Sequence, residues 1–208
     1  MNLTLPLLVI GGGGHAKVLI DTLLIQSQSI LGFTDIDPGC PQIQTAYCLG
    51  GDEVISEYPT DTVKLVNGLG SVGNTEKRRT VFEKFREMGY SFACVIHPAS
   101  VIAGDVSLSE GVQVMAGAII QAGSSIGENV IINTKASVDH DCIIGDHVHL
   151  APGVTLSGGV QVEDGVHIGT GATVIQGIRI GRNSIIGAGT LVLKDVQAGT
   201  KVLGITGK

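Results

Sequence analysis

The 208-residue sequence has no tryptophan, and aromatic residues of every kind supply only 3% of it. Charged residues stop at 15%, while hydrophobic residues reach 43%. That balance excludes a disordered chain, which needs low hydrophobicity and high net charge. Cysteine is scarce too: Cys40, Cys48, Cys94 and Cys142 form no C-x-x-C pair, so a disulfide scaffold, a zinc ribbon and a thioredoxin-type redox centre are not expected. Free thiols in a reducing cytoplasm are the expectation for all four. A net charge of −6 leaves no basic footprint for nucleic acid or an anionic membrane. No run approaches the roughly 18 apolar residues of a membrane span. The apolar start, Met1 to Ile10, lacks a basic n-region and reads as a first buried strand rather than a signal peptide.

Glycine is plentiful, at 31 residues or roughly double average usage. From Ile96 to Val192 every sixth residue is aliphatic without a slip, through Ile120, Val138, Leu156 and Val174. The fifth position of each unit is small or β-branched, as at Ala118, Ser124, Val130, Ala136, Cys142, Val148 and Val154. This is the hexapeptide pattern of a parallel β-helix, expected to wind left-handed, in which three units close one triangular coil around the aliphatic positions. Flat outer faces carrying Val112, Ile119 and Ile131 are too apolar for water, so threefold packing into a homotrimer is expected.

The first third alternates differently. Strands are expected at Leu5–Gly11, Ile30–Asp35, Val63–Gly70 and Ser91–Ile96, with helices over Ala16–Leu24 and Asn74–Met88. This βαβ alternation predicts a half-Rossmann-like α/β domain over residues 1–94, followed by the β-helix over residues 95–208. The turn Gly11-x-Gly13-x-x-Ala16 fits the dinucleotide fingerprint: glycines admit an anion to the unpaired N–H groups of a helix N-terminus. A tight turn without a ligand is the plain alternative. Asp35 stands where an acid meets a ribose or base, yet NAD is not expected, because no second half-domain exists to hold a nicotinamide.

One segment of the repeat is unusually polar. Asn133 to Cys142 includes Asp139, His140 and Asp141, and Asp146, His147 and His149 follow. A histidine flanked by carboxylates is fixed in one tautomer and made a better base, which singles out His140 with Asp141. A solvated polar surface is the alternative, and for His97, His147 and His167 it is the preferred reading. Cys142, at a small fifth position, reads as core rather than nucleophile.

These residues resemble a known family. Gly11–His15, Phe33-Thr34-Asp35, Val95–Pro98, Asn133-Thr134, Val138–Gly145 and His149–Gly153 are similar to the sialic acid O-acetyltransferase and bacillosamine-type sugar N-acetyltransferase family of hexapeptide acyltransferases. The resemblance implies an N-terminal domain that binds a nucleotide sugar and a trimeric β-helix that holds acetyl-CoA between subunits, with no metal. It places the catalytic base on His140 and its supporting acid on Asp141. Contacts to acetyl-CoA fall on His149, Gly158, Thr170 and Ala188. Substrate-phosphate contacts fall on Gly13, Gly14 and His15, and nucleoside contacts on Asp35 and Gly70. Two departures stand out: Asp35-Ile36-Asp37 replaces a pair of adjacent acids, leaving the nucleobase open, and the tail ends Gly204-Ile205-Thr206-Gly207-Lys208 without the usual proline.

The expected reaction is transfer of acetyl from acetyl-CoA to the amino group of a nucleotide-linked 4-amino-deoxy sugar in the cytoplasm. O-acetylation of a sialic acid or other sugar hydroxyl is the alternative. More distant readings are a hydratase holding zinc across a subunit interface through His140, His147 and His149, and a nucleotide-sensing or assembly module without chemistry.

Overall fold

The computed structural model describes residues 5–37 and 39–204, so Met1–Thr4, Pro38 and the tail from Ile205 to Lys208 lie outside the described residues. The chain divides into two compact units. One comprises Met1–Gly70 with Thr80–Val95, and the other comprises Ser71–Arg79 with Ile96–Lys208.

In the first unit, strand β1 (Leu7–Ile10) is fully buried and lies between β2 (Ile30–Phe33) and β3 (Lys64–Asn67), all parallel in the order β2-β1-β3. A strand flanked on both edges and covered on both faces needs an uninterrupted apolar run, which Leu7-Leu8-Val9-Ile10 supplies. Helix α1 (Gly14–Ile25) buries Ala16, Leu19, Ile20 and Leu23, the three- and four-residue spacing of one helix face. It starts two residues before the predicted Ala16. Gly13 stands at its N-cap with no side-chain cap bond, leaving N–H groups of the first turn for another acceptor. Helix α2 (Glu76–Glu87) buries Phe82 and Phe85 against Leu8, Ile10, Ile55, Leu65, Tyr90 and Phe92. All aromatic residues of the sequence precede residue 95, and four of them gather here: Phe82 on Phe92 at 4.3 Å, and Phe85 edge-on to Tyr90 at 6.0 Å.

The second unit is a left-handed parallel β-helix. Two-residue strands stack into sheets of seven, six and five, pairing at an offset of 18 residues, as in Ile131↔His149, Ser137↔Thr155 and Ile143↔Gln161, except for the last pair, Ile185↔Lys201, at 16. The aliphatic sixth positions and the small fifth positions fill the coil, forming one continuous core without an aromatic ring. Val112 departs from its expected place. It occupies a fifth position and is completely buried inside the coil rather than on an outer face. Ile131 does point outward from the seven-stranded sheet, yet it too is fully buried. The segment Ser71–Arg79 attaches to this stretch of the unit, with Ser71 Oγ 2.7 Å from His149 Nδ1 and Arg78 Nη2 donating to the Asn129 carbonyl at 3.3 Å. Ile119 keeps 37% of its surface exposed, as do Val101 at 62% and Ile143 at 52%.

Along most of the β-helix each corner places one residue at positive φ. From Gly111 to Gly189 these positions recur every six residues, and most are glycine. Four consecutive corners break that rule with Asn129, Lys135, Asp141 and His147, at φ between 55° and 59°. Side chains other than glycine, Asn and Asp are uncommon in this region.

The structure also corrects the expectation of four free thiols. Cys40 and Cys48 are joined in a disulfide, leaving Cys94 exposed and Cys142 buried as free thiols. The pair closes an irregular loop beside β2, where the Cys48 backbone bridges Phe33, so no C-x-x-C spacing announces it.

Candidate active site

His140 and Asp141 stand on the corner between the six- and five-stranded sheets. Asp141 adopts φ 58°, and this turn brings its Oδ2 to 2.8 Å from His140 Nδ1. On the other side the His140 N–H donates to Asp139 Oδ1 at 2.8 Å. Both members of the pair are exposed, His140 by 56% and Asp141 by 73% of the side chain. The hydrogen bond to Asp141 raises the imidazole pKa above its ordinary value, and the charges of Asp139 and Asp141 act the same way against desolvation. With Nδ1 engaged, Nε2 is the nitrogen left to exchange a proton with a reactant. Gly158, on the following coil, lies directly against this ring, so it joins the pair.

His149 does not share that corner. It lies on the seven-stranded sheet, opposite the corner that carries His140 within the triangular coil. It is buried, and both ring nitrogens are engaged within the unit: Nδ1 with Ser71 Oγ at 2.7 Å and Nε2 with Asn133 Nδ2 at 3.1 Å. The Thr134 N–H donates to Asn133 Oδ1 at 2.8 Å, which fixes the amide so that its nitrogen donates to Nε2. His149 therefore carries its proton on Nδ1 and donates it to Ser71. His167 packs edge-on against it at 5.1 Å between centroids. Thr170 and Ala188 stack on a third location, the exposed corner leading from the seven- to the six-stranded sheet. Residues drawn together by the resemblance thus occupy opposite sides of one β-helix.

His147 is buried, with Nδ1 3.0 Å from Asn129 Nδ2, on yet another corner from His140 and apart from His149's sheet. Within one chain the three histidines of the hydratase reading do not converge. Among the described residues no group of three or more His, Cys, Asp or Glu is arranged to hold a metal ion. Cys142 is buried, its thiol pKa is raised by burial, and Sγ donates to the Ser157 carbonyl at 3.4 Å. It is part of the core.

In the first unit the glycine turn is braced by Asp35. Its Oδ2 accepts the Gly12 N–H at 3.0 Å and its Oδ1 accepts the Asp37 N–H at 3.0 Å. Gly11 N–H donates to Thr34 Oγ1 at 3.2 Å, and Thr34 in turn donates to Asp52 at 2.6 Å. A Cβ at Gly12 would stand 2.6 Å from Asp35 and Phe33, so this glycine is required by packing. Gly13 and Gly14 face open space, with nothing within 4 Å of an added Cβ. Gly70 meets His15 across the turn, at 3.2 Å from such a Cβ to the His15 Cβ. Beside them a cleft of about 490 Å³ is lined by Gly12, Lys17, Asp35, Asp37 and the loop from Cys40 to Gln44. It opens beyond the carboxyl ends of β1 and β2, where open α/β sheets take their ligands. Lys17 and that loop were missed from the sequence, because irregular residues show no period; helical spacing from Gly13 was the available signal for Lys17.

Comparison with known proteins follows this division. The PglD N-terminal domain profile matches residues 6–85, and the bacterial transferase hexapeptide profile matches residues 123–158 and 159–194. No curated protein sequence matches significantly. Among solved structures, PerB from Caulobacter crescentus, in complex with CoA and GDP-perosamine, is 38% identical, with 96% of this chain and 94% of that chain covered at a TM-score of 0.88. The acetyltransferase domain of PglB from Neisseria gonorrhoeae is 30% identical, with 97% of each chain covered and a TM-score of 0.88. WeeI from Acinetobacter baumannii is 27% identical over 97% of each chain, at a TM-score of 0.85. Over nearly its whole length, in the glycine turn as in the repeat, the chain belongs to the hexapeptide-repeat sugar acetyltransferases.

Proposed function

We propose that this protein transfers acetyl from acetyl-CoA to the amino group of a nucleotide-linked 4-amino-deoxy sugar. The observation that carries this reading is the exposed His140–Asp141 pair, with Nδ1 held at 2.8 Å and Nε2 left for chemistry. The glycine turn and cleft of the first unit support a nucleotide sugar as acceptor. PerB, which is solved with GDP-perosamine and CoA, supports both co-substrates.

The chemistry asked of His140 is general base catalysis. The sugar amine attacks the thioester carbonyl and gains positive charge as the C–N bond forms. His140 Nε2 takes a proton from that nitrogen, and Asp141 stabilises the imidazolium. Collapse of the tetrahedral intermediate breaks the C–S bond, and the imidazolium returns the proton to the departing thiolate. The products are the N-acetyl sugar and CoA. No acyl-enzyme forms, consistent with the buried thiol of Cys142.

In this reading Gly13, Gly14 and His15 receive the diphosphate at the N-terminus of α1, and Asp35 and Gly70 meet the nucleoside. His149, Gly158, Thr170 and Ala188 contact acetyl-CoA. Because these four residues lie on different sides of one β-helix, a single coenzyme can reach them only if two copies contribute. That supports a homotrimer with intersubunit sites. No helix among the described residues is long and apolar enough to cross a membrane. Dependence on acetyl-CoA and nucleotide sugars supports a cytoplasmic reaction.

A panel of UDP-, dTDP-, GDP- and CMP-linked 4-amino sugars with acetyl-CoA and thiol detection tests the proposal. Thiol release with one amino sugar, and none with its 4-hydroxy counterpart or a sialic acid, is expected. Turnover of only hydroxyl acceptors overturns the amine reading.

A further inference from the structure

The imidazole of His140 has a second constraint besides Asp141. Gly159 N–H donates to the His140 carbonyl at 2.8 Å and Asp139 N–H to the Leu156 carbonyl at 3.1 Å, so the coils are in register and Gly158 faces His140. A Cβ on Gly158 would stand 2.5 Å from His140 Nε2, 2.6 Å from Cε1 and 3.1 Å from Cδ2. Favourable contacts between such atoms begin at about 3.5 Å. The ring therefore fills the volume that any side chain at position 158 would need.

Backbone conformation does not explain this glycine. The corner glycines at positive φ are its neighbour Gly159 and the equivalents six residues apart, and Gly158 is not among them. An L-residue fits its backbone, and only the ring stands in the way. Asp141 is accommodated in a matching way from the preceding coil, where a Cβ on Gly123 would collide with its Oδ1. The dyad is thus seated between two coils, each of which presents a glycine to it.

We propose that Gly158 is a positioning residue of the acetyl transfer: its missing side chain is the slot that lays the His140 ring flat, with Nδ1 on Asp141 and Nε2 turned to the reactants. This rests on the base role proposed for His140. It adds to coenzyme contact a task that coenzyme contact alone does not require. The charged groups facing the ring are Asp139 and Asp141 of its own coil, and the following coil faces it with Gly158, which adds no charge. Displacing the ring from Asp141 thus removes the interaction that holds its proton.

The test compares Gly158→Ala with Gly104→Ala, a substitution on the same corner three coils earlier, where an added Cβ meets nothing within 4 Å. His140 is titrated by imidazole NMR in the full-length protein, and kinetics use the sugar that the panel acetylates fastest. In Gly158→Ala the His140 pKa should fall toward the ordinary value of about 6.5. Its kcat should fall by about 10²-fold, the scale of an ångström-sized misplacement. The KM for acetyl-CoA, which Gly158 also contacts, should change far less than kcat, and Gly104→Ala should change nothing. In a His140→Ala background, adding Gly158→Ala should cause no further loss of kcat, because the glycine acts through the ring.

An unchanged His140 pKa in Gly158→Ala, or a raised KM for acetyl-CoA with kcat intact, overturns the proposal. Should the variant fail to fold, the wild-type protein still decides: NOEs from the His140 ring protons to the Gly158 Hα are expected, and their absence overturns it. Full activity in His140→Ala alone would remove the base reading, while the NMR arms would still decide whether Gly158 seats the ring.

Discussion

Ser71 Oγ accepts the proton of His149 Nδ1 at 2.7 Å, tying a polar residue from before the repeat to a buried histidine within it. Because Asn133 donates to the other nitrogen, the bond to Ser71 completes the definition of one tautomer. Ser71→Ala should lower the unfolding free energy by about 1 kcal/mol, the usual worth of one hydrogen bond. It should also change the His149 nitrogen shifts that report the Nδ1–H tautomer. Denaturant midpoints and long-range ¹⁵N spectra check both, and identical spectra would remove the assignment.

Gly13 offers a clean test of the glycine turn. A side chain there meets nothing within 4 Å, and no positive φ excludes one. Gly13→Val should therefore fold like wild type and still block an anion approaching the N-terminus of α1. The KM for the nucleotide sugar should rise while the affinity for acetyl-CoA holds. Equal loss of both would make the turn structural.

His167 should make the β-helix acid-sensitive. Burial lowers its pKa, and Nδ1 has no hydrogen-bond partner among the described residues. With the folded value below the unfolded value of about 6.5, its contribution is complete above that pH and is lost as pH falls through the folded value. His167→Gln should show a smaller drop in Tm between neutral and mildly acidic pH than wild type. Parallel curves for the two proteins would contradict this.

The repeat was legible because each unit commits one aliphatic residue to the core, and an unbroken period of six from Ile96 to Val192 disfavours an antiparallel sandwich, whose turns are irregularly spaced. The dyad was legible from composition, since three acids and three histidines crowd one stretch. Its geometry was not: Asp141 reaches Nδ1 because it takes a left-handed corner that glycine usually fills. The third residue after each aliphatic position marks these corners, and the run Asn129, Lys135, Asp141, His147 was a signal available in the sequence. Ser71, Thr75 and Arg78 gave none. They are polar residues whose places come only from distant partners, such as Thr75 donating to the Gly165 carbonyl at 3.1 Å. Arg78 is completely buried, its pKa lowered by burial to about 9. Val112 was misplaced because inner and outer positions alternate unevenly around a corner.

The thiols admit a direct count. With Cys40 and Cys48 paired, alkylation without reductant should label Cys94 quickly, Cys142 only on unfolding, and neither of the other two. Four labelled cysteines in the unfolded, unreduced protein would contradict the pairing.

The central claim is that His140 is the base. Its pKa is raised from the ordinary value, caused first by Asp141, which shifts the acidic limb of the pH–rate profile upward. Asp141→Asn should move that limb down and cause a smaller defect than loss of the ring. Sugar amines also lose protons as pH rises, so the decisive comparison is made at one pH. The measurement is kcat of His140→Ala against wild type with both substrates saturating. A fall of about 10²–10⁴-fold with CoA binding and assembly intact is the predicted result; retention of half the wild-type kcat or more would contradict it.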